Sequence, residues 1–535
     1  MSKIFGIDLG TTYSCIAYVN DYGKPEVVPN SEASPVTPSV VAFEEGGNAA
    51  VGEAAKQTLK TDPANVCTVI KRQMGKRDYK FYACGEEYTP EAISAIILRQ
   101  IVQDASDQLG EEVKNVVITC PAYFGMEERN ATKTAGELAG LNVLDILNEP
   151  TAAAISYGLN VNEPQTVLVY DLGGGTFDIT MLRVENGKIK MVVTGGNHEL
   201  GGKDWDAKVT DLVVSEYCAQ SGEDPAAVRD DIDMMGELEL GSENAKKQLT
   251  QKEKTVIKFN SARIEVTREK FDEMTKSLLD TTIGFTKDIL EKAAAKGVTD
   301  FDKILLVGGS TMMKQVKERL EAEFPGKPIE YCDPNQSVAK GAAIYGINLA
   351  AFSDAMAEED GNSGGDDIPL VDSQTQDTAK KNPIFGKIGG GTAQKIEIEN
   401  VLSRSVAMRF VNGIMNVVKR NTAIPHHFEF EATTVEANQV RVMIELYENL
   451  SDEDLVPDDV CTKLADQELP LNPNLPADSP LDVVVNIDKS GLLSVDVTDA
   501  SSNGKSTHIE VMLQNALSEK EKKEEASKVT AIKLV

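Results

Sequence analysis

Two segments that lie far apart in the chain carry the residues best suited to chemistry. Residues 7–12 read IDLGTT and residues 170–178 read YDLGGGTFD. In each, an apolar stretch typical of a β-strand ends in an aspartate and is followed by a turn of glycine and threonine. Because glycine has no Cβ, backbone N–H groups in such a turn can approach phosphate oxygens closely. Asp8 and Asp171 are of the type that holds hydrated Mg²⁺, which prefers oxygen ligands and keeps several waters.

A third glycine motif decides how these two segments are interpreted. Either segment alone is also typical of an ordinary hairpin turn. Residues 307–311 read VGGST and follow the apolar run 304–306. Two hairpins that face each other would clamp a triphosphate from both sides. The three motifs together predict a two-lobed nucleotide site.

Composition limits the classes of function. The chain has 535 residues, of which 41% are apolar, and a net charge of −31. This length allows two to four domains. An acidic surface repels nucleic acid and anionic lipid, so we expect neither nucleic acid nor membrane as a partner. The seven cysteines form no CxxC pair, which is typical of a reducing compartment. With no apolar leader and no run long enough to span a bilayer, the sequence predicts a cytoplasmic protein.

The elements that position the motifs follow an α/β pattern over residues 1–351. β-branched runs predict buried strands, and apolar residues at helical spacing predict amphipathic helices. Such alternation predicts mixed sheets with helices packed on them. The strands are predicted at 116–119, 166–170 and 303–307, and helices at 90–109 and 271–295.

The remaining third of the chain changes character twice. Residues 352–394 are acidic and glycine-rich, which predicts a mobile linker or insertion, with a docking site as the open alternative. Residues 395–515 contain short strand-like runs, among them 440–447 and 481–487, separated by tight turns, and predict a β-sandwich. Residues 516–535 are charged and helix-prone, with too few apolar residues for a domain.

These motifs resemble those of the DnaK-type 70 kDa heat-shock chaperones. The resemblance covers the first 351 residues well and the remainder more loosely. It implies an actin-like two-lobed ATPase domain followed by an all-β sandwich substrate-binding domain, in a shortened, bacterial-like member whose helical lid is almost absent. Further stretches that look like the family are 120–124 (CPAYF), 148–154 (NEPTAAA), 336–343, 419–425, 442–448 and 481–499.

The resemblance implies an ATP-dependent molecular chaperone that hydrolyses ATP slowly to control the binding of extended apolar polypeptide segments. ATP or ADP with Mg²⁺ would be the cofactors, with K⁺ an open addition. Unfolded polypeptides would be the substrates, and a J-domain co-chaperone and a nucleotide-exchange factor would be the helpers. The alternative is a regulatory or scaffolding actin-fold ATPase whose sandwich binds one dedicated partner. A sugar kinase or a filament protein would share the ATP clamp, but the predicted sandwich argues against both.

The family motifs assign roles to individual positions of this sequence. Lys71 would meet the γ-phosphate, and Glu149, Thr176 and Asp178 would position or activate the attacking water. With Asp171, these are the five predicted catalytic residues. Phosphoryl transfer to water needs charge neutralisation and in-line positioning, which one lysine, a metal and a nest of backbone amides provide.

Binding residues are carried over in the same way. Asp8 and Asp171 would hold the metal through water, and Pro121 and Arg129 match the family's proline switch and its arginine. The nucleotide would be held by Asp8, Gly10, Thr11, Thr12, Tyr13, Gly173, Gly174, Gly175, Glu243, Lys246, Lys247, Thr250, Gly308, Gly309 and Ser310. The polypeptide would be held by Met408, Phe410, Val411, Val435, Val442 and Ile444, with Val442 in the central pocket and Val411 and Val435 forming an arch.

The chain departs from the family at several positions. Met312 and Lys247 stand where arginines would face the adenine, and neither restores a flat guanidinium stack, so we expect weaker nucleotide binding. The lobe segment between Met74 and Glu91 is shorter than usual, which affects exchange-factor docking. Residues 396–401 (IEIENV) replace a linker run of leucines, and Asp145 replaces the arginine that a J-protein usually meets. The family's pocket phenylalanine is Ala432, and Phe410 would fill the space.

Overall fold

The computed structural model describes residues 3–158, 164–185, 188–351, 396–488, 491, 493–500, 506–510 and 517–535. Residues 3–351 build two α/β lobes, and residues 396–510 build a β-sandwich. The linker predicted at 352–394 lies outside the described residues and stays a prediction.

The strands, numbered in chain order through the described part of the chain, are β1 Ile4–Asp8, β2 Tyr13–Val19, β3 Pro25–Val27, β4 Thr37–Pro38, β5 Val41–Glu44, β6 Asn48–Val51, β7 Val66–Cys67, β8 Phe81–Ala83, β9 Glu86–Tyr88, β10 Asn115–Cys120, β11 Asn142–Asn148, β12 Gln165–Leu172, β13 Phe177–Glu185, β14 Lys188–Asn197, β15 Lys254–Phe259, β16 Ala262–Thr267, β17 Lys303–Val307, β18 Ile329–Tyr331, β19 Glu397–Val401, β20 Ser405–Phe410, β21 Gly413–Val418, β22 Ala423–Ile424, β23 His426–Thr433, β24 Arg441–Asn449, β25 Leu455–Val456, β26 Thr462–Pro470, β27 Pro480–Ile487, β28 Leu493–Asp499, β29 Ser506–Glu510 and β30 Lys533–Leu534.

The α-helices of the same residues are α1 Glu53–Thr58, α2 Pro90–Leu109, α3 Met126–Leu138, α4 Glu149–Tyr157, α5 Gly202–Ser221, α6 Pro225–Asp230, α7 Ile232–Leu249, α8 Arg268–Ala295, α9 Lys314–Glu323, α10 Ser337–Ala351 and α11 Glu519–Ala531. Short 3₁₀ helices lie at Pro63–Asn65, Ile70–Gln73, Gly309–Met312 and Asp458–Val460. Among these described elements, none is both long and apolar enough to cross a bilayer as a helix.

The two lobes repeat one sheet topology. The first sheet has the order β11-β10-β1-β2-β3, and the second contains the order β18-β17-β12-β13-β14. In each, the first three strands run parallel and the last three are antiparallel. The hairpins β1–β2 and β12–β13 therefore occupy equivalent places in the two sheets. In each hairpin, one of the glycine turns predicted from the sequence joins the two strands.

Local capping explains the helix bounds. Helix α2 matches its predicted range because the Thr89 side chain accepts a hydrogen bond from Ala92 N, Pro90 opens the helix, and Gly110 ends it in the left-handed conformation at φ 67°. Helix α8 begins three residues before the predicted Phe271, because Thr267 caps the amide of Lys270. Apolar spacing alone does not reveal the polar first turn.

A shared core joins the lobes. Helix α10 packs on β1, β2 and α4. A Cβ on Gly6 would lie 2.2 Å from the Ala343 nitrogen, so only glycine allows this approach. Buried residues of both sheets, such as Val117 and Val169, belong to the same cluster as the alanines of α10. The two hairpins are thereby held at a fixed separation.

The C-terminal third forms the predicted sandwich. One sheet has the order β25-β21-β20-β24-β26 and the other the order β23-β27-β28-β29. Leu446, Leu464, Val485 and Val495 are fully buried between them. The run predicted at 440–447 becomes β24, which extends to Asn449.

The charged segment after the sandwich forms a helix and a strand. Ser518 and Glu521 form a capping box at the start of α11. Strand β30 then pairs in parallel with β6 of the first lobe. The sequence predicted the helix, but nothing in the sequence indicated the strand or where it pairs.

Candidate nucleotide site, polypeptide site and domain interface

The two glycine turns touch each other. A Cβ on Gly174 would lie 2.1 Å from Thr12 Oγ1, and a Cβ on Gly175 would lie 2.2 Å from Thr11 Cγ2. Only glycine permits this approach. The turn after β12 therefore needs glycine because the threonines of the turn after β1 lie against it. The facing arrangement expected from the repeated motifs is present.

A cleft of about 450 Å³ lies between the lobes at these turns. Most of the predicted catalytic and nucleotide-binding residues line it: Asp8, Gly10, Thr11, Thr12, Tyr13, Lys71, Glu149, Asp171, Gly173, Gly174, Thr176, Glu243, Lys246, Lys247, Thr250, Gly308, Gly309 and Ser310. Gly175 and Asp178 lie just behind the lining; the Gly175 carbonyl accepts hydrogen bonds from Arg72, and Asp178 is 1% exposed. Pro121 and Arg129 lie outside it.

One end of the cleft contains a buried ion pair. Lys71 Nζ lies 2.6 Å from Glu149 Oε1, and both side chains are more than nine-tenths buried. Lys71 belongs to the 3₁₀ helix Ile70–Gln73, which follows Val69. Val69 has φ 50°, a left-handed conformation that is strained for a β-branched residue. Such strain persists only where the surrounding structure enforces it, and here it lies two residues before Lys71.

Carboxylates outnumber cations at this end. Burial, and then Glu149, raise the pKa of Asp8 to about 7, against the opposing effect of Lys71. Burial and Glu149 also hold the pKa values of Asp171 and Asp178 well above their usual range. Burial opposes the charge of Lys71, but Glu149 and Asp8 outweigh it and raise the lysine pKa. This end is therefore short of positive charge and suits a cation bound with a polyphosphate.

The donor set suits a hydrated metal rather than a protein cage. The described residues contain no group of three or more His, Cys, Asp or Glu side chains that could hold a metal ion. Mg²⁺ usually keeps several waters and binds through one or two carboxylates together with substrate phosphates. Asp8 and Asp171, at the ends of β1 and β12, fit that role.

A network of lysines around one glutamate forms the other end of the cleft. Glu243 accepts a hydrogen bond from Tyr13 OH at 2.9 Å and pairs with Lys56 at 2.7 Å and Lys247 at 2.6 Å. Burial alone would raise the pKa of Glu243, but Lys56, Lys247 and Lys203 together hold it far below its usual range. The tyrosine is thus fixed across the cleft from both lobes.

The remaining predicted nucleoside residues join this network. Lys246 Nζ donates to Gly202 O at 2.7 Å and pairs with Asp206 at 2.8 Å. Ser310 Oγ donates to Gly173 O at 2.8 Å, which links the third glycine motif to the second. Met312 lines the cleft and is 47% exposed, so an apolar thioether stands where the resemblance led us to expect an arginine.

Sequence reasoning missed several charged residues of the site. Lys203 and Asp206 line the cleft at the start of α5, and the glycine pair at 201–202, where this helix begins, could have indicated them. Arg72 donates to Gly175 O at 2.9 and 2.6 Å and pairs with Asp204. Lys56 is on α1, far from Glu243 in sequence, and no local pattern points to it.

The predicted polypeptide-binding residues lie on β20 and β24 and in the segments that follow β20 and β23. Met408 and Ile444 are buried in its core, and Phe410 and Val442 are half-buried against it. Val411 and Val435, the predicted arch, are 76% and 53% exposed.

An aromatic row begins at Phe410, and its other two members were not predicted. The Phe410 ring is 6.1 Å from Phe430, which is 5.6 Å from Phe428. Phe428, Phe430 and Ala432 alternate with charged residues along β23, and this alternation in the sequence could have indicated a shared face. The phenylalanines supply the aromatic surface that Ala432 lacks.

Comparison with known proteins assigns the chain to a family. The model of the family described as Hsp70 protein matches residues 4–356 and 379–533. The chain belongs to the Hsp70 family. It is 36% identical over 532 residues to Chaperone protein DnaK of Thermotoga neapolitana (strain ATCC 49049 / DSM 4359 / NBRC 107923 / NS-E), which covers 97% of this chain and 82% of the relative. Proteins of the same name from Thermotoga petrophila and Thermotoga maritima match with the same identity and coverage.

The family confirms the main predictions from the sequence. This Hsp70 is an ATP-dependent molecular chaperone and an ATPase, with an actin-like two-lobed domain and a β-sandwich substrate-binding domain. The scaffolding alternative is not favoured. The individual site residues stay proposals, because family membership does not test them.

In this Hsp70 Arg129, one of the two predicted switch residues, contacts the residue that precedes Glu149. Arg129 Nε donates to Phe124 O at 3.1 Å, and its Nη2 donates to Asn148 Oδ1. Asn148 precedes Glu149 and donates to Asn400 Oδ1 at 3.1 Å. Polar contacts therefore run from the buried ion pair to β19.

Strand β19, which contains most of the linker motif at 396–401, is docked on the second lobe. β19 pairs in parallel with β14, with Ile398 opposite Ile189. Lys188 and Lys190 pair with Glu397 and Glu399 at 2.5 and 3.0 Å. The two glutamates of β19 therefore have basic partners on the second lobe.

The sandwich contacts the first lobe through a buried charge cluster. Arg404 pairs with Glu448 at 2.5 Å and with Glu128 of α3. Burial raises the pKa of Glu448 to about 7, against the opposing charge of Arg404, and Glu128 and Glu127 raise it further. With more carboxylates than guanidinium groups, this interface is sensitive to charge.

Asp145 has a partner inside the fold. Its Oδ2 accepts a hydrogen bond from Tyr345 OH of α10 at 2.8 Å. Burial raises the pKa of the Asp145 carboxyl. Asp145, which stands where we expected an arginine that contacts J-domain proteins, thus joins β11 to α10.

Proposed function

We propose that this Hsp70 hydrolyses ATP in the cleft between the lobes, with Mg²⁺ held through water by Asp8 and Asp171. The observation that carries this proposal is the Lys71–Glu149 pair, at 2.6 Å, beside the two touching glycine turns. Mg²⁺, when bound, supplies positive charge to the phosphates.

The protein's own groups then do the positioning. Backbone N–H groups of the glycine turns hold the phosphates, and Lys71 meets the charge that grows at the γ-phosphate during transfer. Glu149, Thr176 and Asp178 orient the attacking water. Glu243, Lys246 and Thr250 hold the nucleoside, and Tyr13, which contacts the phosphates, is fixed by hydrogen bonds with Glu243 and Lys247.

The sandwich binds an extended apolar polypeptide by strand-like backbone hydrogen bonds, with one side chain in a pocket floored by Val442. Phe410 and Phe430 form its aromatic wall. The nucleotide controls this binding through β19, whose Asn400 contacts the residue before Glu149.

Helper proteins, K⁺ and location belong to the same proposal. A J-domain protein and an exchange factor remain the expected helpers, although Asp145 is engaged by Tyr345. K⁺ binding and a cytoplasmic location stay predictions.

The test is ATP turnover with and without a panel of apolar heptapeptides, each in the presence and absence of Mg²⁺. We expect turnover to require Mg²⁺ and to rise with many peptides. Turnover that no peptide stimulates, together with one tight cellular partner, would contradict polypeptide control and favour the scaffolding alternative. Adding a J-domain protein then shows whether the Asp145 departure abolishes its stimulation.

A further inference from the structure

A second cavity, named here the rear cavity, adjoins the catalytic end of the nucleotide cleft. It has a volume of about 1010 Å³, and three parts of the molecule form its walls. The first lobe contributes residues 71–79, and the second lobe contributes Thr176 and His198. The sandwich contributes Arg404 and residues 448–451. The rear cavity therefore lies where the two lobes and the sandwich meet.

The rear cavity and the nucleotide cleft share two residues. Lys71 and Thr176 line both spaces. These are the residues that the proposed function places at the γ-phosphate and at the attacking water. Hydrolysis therefore forms inorganic phosphate at the boundary between the two spaces.

The two spaces differ in their balance of charge. The nucleotide cleft is lined by five carboxyl groups and four lysines. The rear cavity is lined by four carboxyl groups and five lysines and arginines. Four of these cations belong to residues 71–77, which read KRQMGKR. Because a space lined by one sign of charge concentrates the opposite ion, the rear cavity attracts an anion more than the cleft does.

The adenosine end of the cleft gives phosphate no exit while ADP stays bound. Glu243 of the second lobe pairs with Lys56 of the first lobe at 2.7 Å and accepts a hydrogen bond from Tyr13 OH at 2.9 Å. Side chains of both lobes thus meet across this end of the cleft. ADP itself lies between this network and the phosphate that hydrolysis releases.

Aromatic side chains line the passage from Lys71 into the rear cavity. The Phe124 ring lies 6.0 Å from Lys71 Nζ and 5.6 Å from the Tyr123 ring. The Tyr123 ring lies 6.0 Å from the His198 ring. Burial, and then Asp178, raise the pKa of Tyr123 well above its usual range. Its hydroxyl therefore stays protonated and can donate a hydrogen bond to a passing anion.

The rear cavity opens to solvent between the first lobe and the sandwich. Leu450 and Val460 of the sandwich line it and are 49% and 54% exposed. Lys76 of the first lobe lines it and is also exposed. Lys76 Nζ donates to Gln73 Oε1 at 3.2 Å, and because this partner is neutral, the lysine charge acts on the opening.

We propose that the rear cavity is the exit route for inorganic phosphate, which passes Thr176 and Tyr123 and reaches solvent at Lys76 while ADP is still bound. This deepens the proposed function and rests on it. The oxygen of water joins the γ-phosphorus as the bond to ADP breaks, and the products are ADP, inorganic phosphate and a proton. Since the sandwich forms one wall, the domain that binds polypeptide also shapes the exit of phosphate.

The kinetics of a single turnover give the first test. Chemical quench measures cleavage of ATP, and a fluorescent phosphate sensor measures release. His198→Trp places a larger ring in the rear cavity, and Glu199→Trp is the matched control, because Glu199 is the next residue, is exposed and lines neither space. We expect His198→Trp to leave cleavage unchanged and to lengthen the delay between cleavage and release at least ~10-fold. The control should change neither.

Reversal of charge at the opening gives the second test. Lys76→Glu is compared with Lys60→Glu, because Lys60 is an exposed lysine that also donates to a glutamine three residues earlier, at 2.7 Å. We expect Lys76→Glu to lengthen the delay at low salt and to do so less at high salt, because salt screens exposed charges. Equal delays in the two variants at low salt overturn the proposal.

Phosphorus NMR gives a readout that needs no hydrolysis. Inorganic phosphate is added to the ADP-bound protein, and the width of its resonance reports exchange with the bound ion. We expect broadening with the unmodified protein and with Glu199→Trp, and a sharper resonance with His198→Trp. Equal line widths in the three proteins overturn the exit route.

The remaining outcomes are also decisive. Slower cleavage in both His198→Trp and Lys76→Glu overturns the proposal, because the rear cavity then serves the chemical step. So does release of ADP ahead of phosphate from the unmodified protein, because the open cleft is then an exit. Cleavage of ATP together with equal line widths contradicts the exit route alone, whereas an unmodified protein that cleaves no ATP contradicts the proposed function and the exit route with it.

Discussion

At the scale of single residues, the cleft is defined by an imbalance of charge. Three buried carboxyl groups, Glu149, Asp171 and Asp178, and the half-buried Asp8 act on one buried lysine, Lys71. Buried carboxylates are costly without compensating charge. A bound nucleotide and metal therefore complete an arrangement that the protein leaves short of cations, and removing single charges should separate binding from catalysis.

Lys71→Ala should abolish hydrolysis and leave ATP binding largely intact. The lysine meets charge that develops in the transition state, whereas backbone amides carry most ground-state binding, so we expect a loss of ~10²–10³ in rate. Single-turnover hydrolysis and nucleotide titration measure the two effects separately. Lys76→Ala, an exposed lysine of the same segment, is the control. A rate within tenfold of the unmodified protein would disprove the assignment.

Asp8→Asn and Asp171→Asn should weaken Mg²⁺-dependent nucleotide binding, because each removes a carboxylate charge beside a hydrated dication. Nucleotide affinity is measured at a series of Mg²⁺ concentrations, and again with excess chelator. We expect the variants and the unmodified protein to differ with Mg²⁺ and to converge without it. Unchanged Mg²⁺ titration curves in both variants would show that these residues do not hold the metal.

At the scale of elements, one strand joins the two functional parts. β19 adds to the sheet of the second lobe, and its Glu397 and Glu399 pair with Lys188 and Lys190. These side chains are about 40% exposed, so each pair contributes only ~0.2–1 kcal/mol. Ile398 packs against the core that joins the lobes, and this apolar contact adds to the stability of the docked strand.

Replacing both Glu397 and Glu399 by lysine should release β19 from the lobe, because two attractions become repulsions. We expect faster proteolysis within residues 396–402, measured by mass spectrometry of the fragments. Glu265→Lys reverses a comparable exposed cross-strand pair, with Lys254 in the ribbon β15–β16, and should leave cleavage of the linker unchanged. Equal cleavage in the double variant and the control would mean that charge does not hold β19.

Val442→Phe should weaken polypeptide binding by ~1–3 kcal/mol, the usual cost of overpacking a tight apolar site. Met443→Phe is the matched control, because Met443 is the next residue of β24 and is 53% exposed on the other face. Stopped-flow release of a labelled apolar heptapeptide, with ATP and with ADP, measures the change. Equal affinity in the two variants would show that Val442 does not form the pocket.

At the scale of the whole molecule, the sandwich rests on both lobes. Arg404 and Glu448 meet Glu128 of the first lobe, and Lys292 of the second lobe pairs with Asp452 of the sandwich at 3.1 Å. Burial raises the pKa of Glu448 from 4.5 to about 7. The docked state therefore binds a proton more tightly than the unfolded chain does.

This shift gives the sign of a pH dependence. The stability that the folded protein gains from holding the Glu448 proton is fully present below about pH 4.5 and is lost as the pH rises through about 7. Glu448→Gln keeps a neutral group there, so its melting temperature relative to the unmodified protein should rise between pH 5 and 8, equivalent to about 1–3 kcal/mol. Glu431→Gln, exposed on β23, is the control. If the difference in melting temperature between Glu448→Gln and the unmodified protein does not vary with pH, Glu448 does not titrate in this range.

The sequence by itself determined the family, the facing hairpins, the sandwich and most of the cleft lining. These features depend on local patterns, such as glycine turns, strand-length apolar runs and the helical spacing of the isoleucines in α2. Only the tertiary structure decided the partners of Glu243, the docking of β19 on β14, and the placement of residues 517–535 on the first lobe. Those contacts join residues that are distant in the chain, like Lys533 and Gly47. Their backbone hydrogen bonds and buried charges carry no periodicity that a single sequence displays.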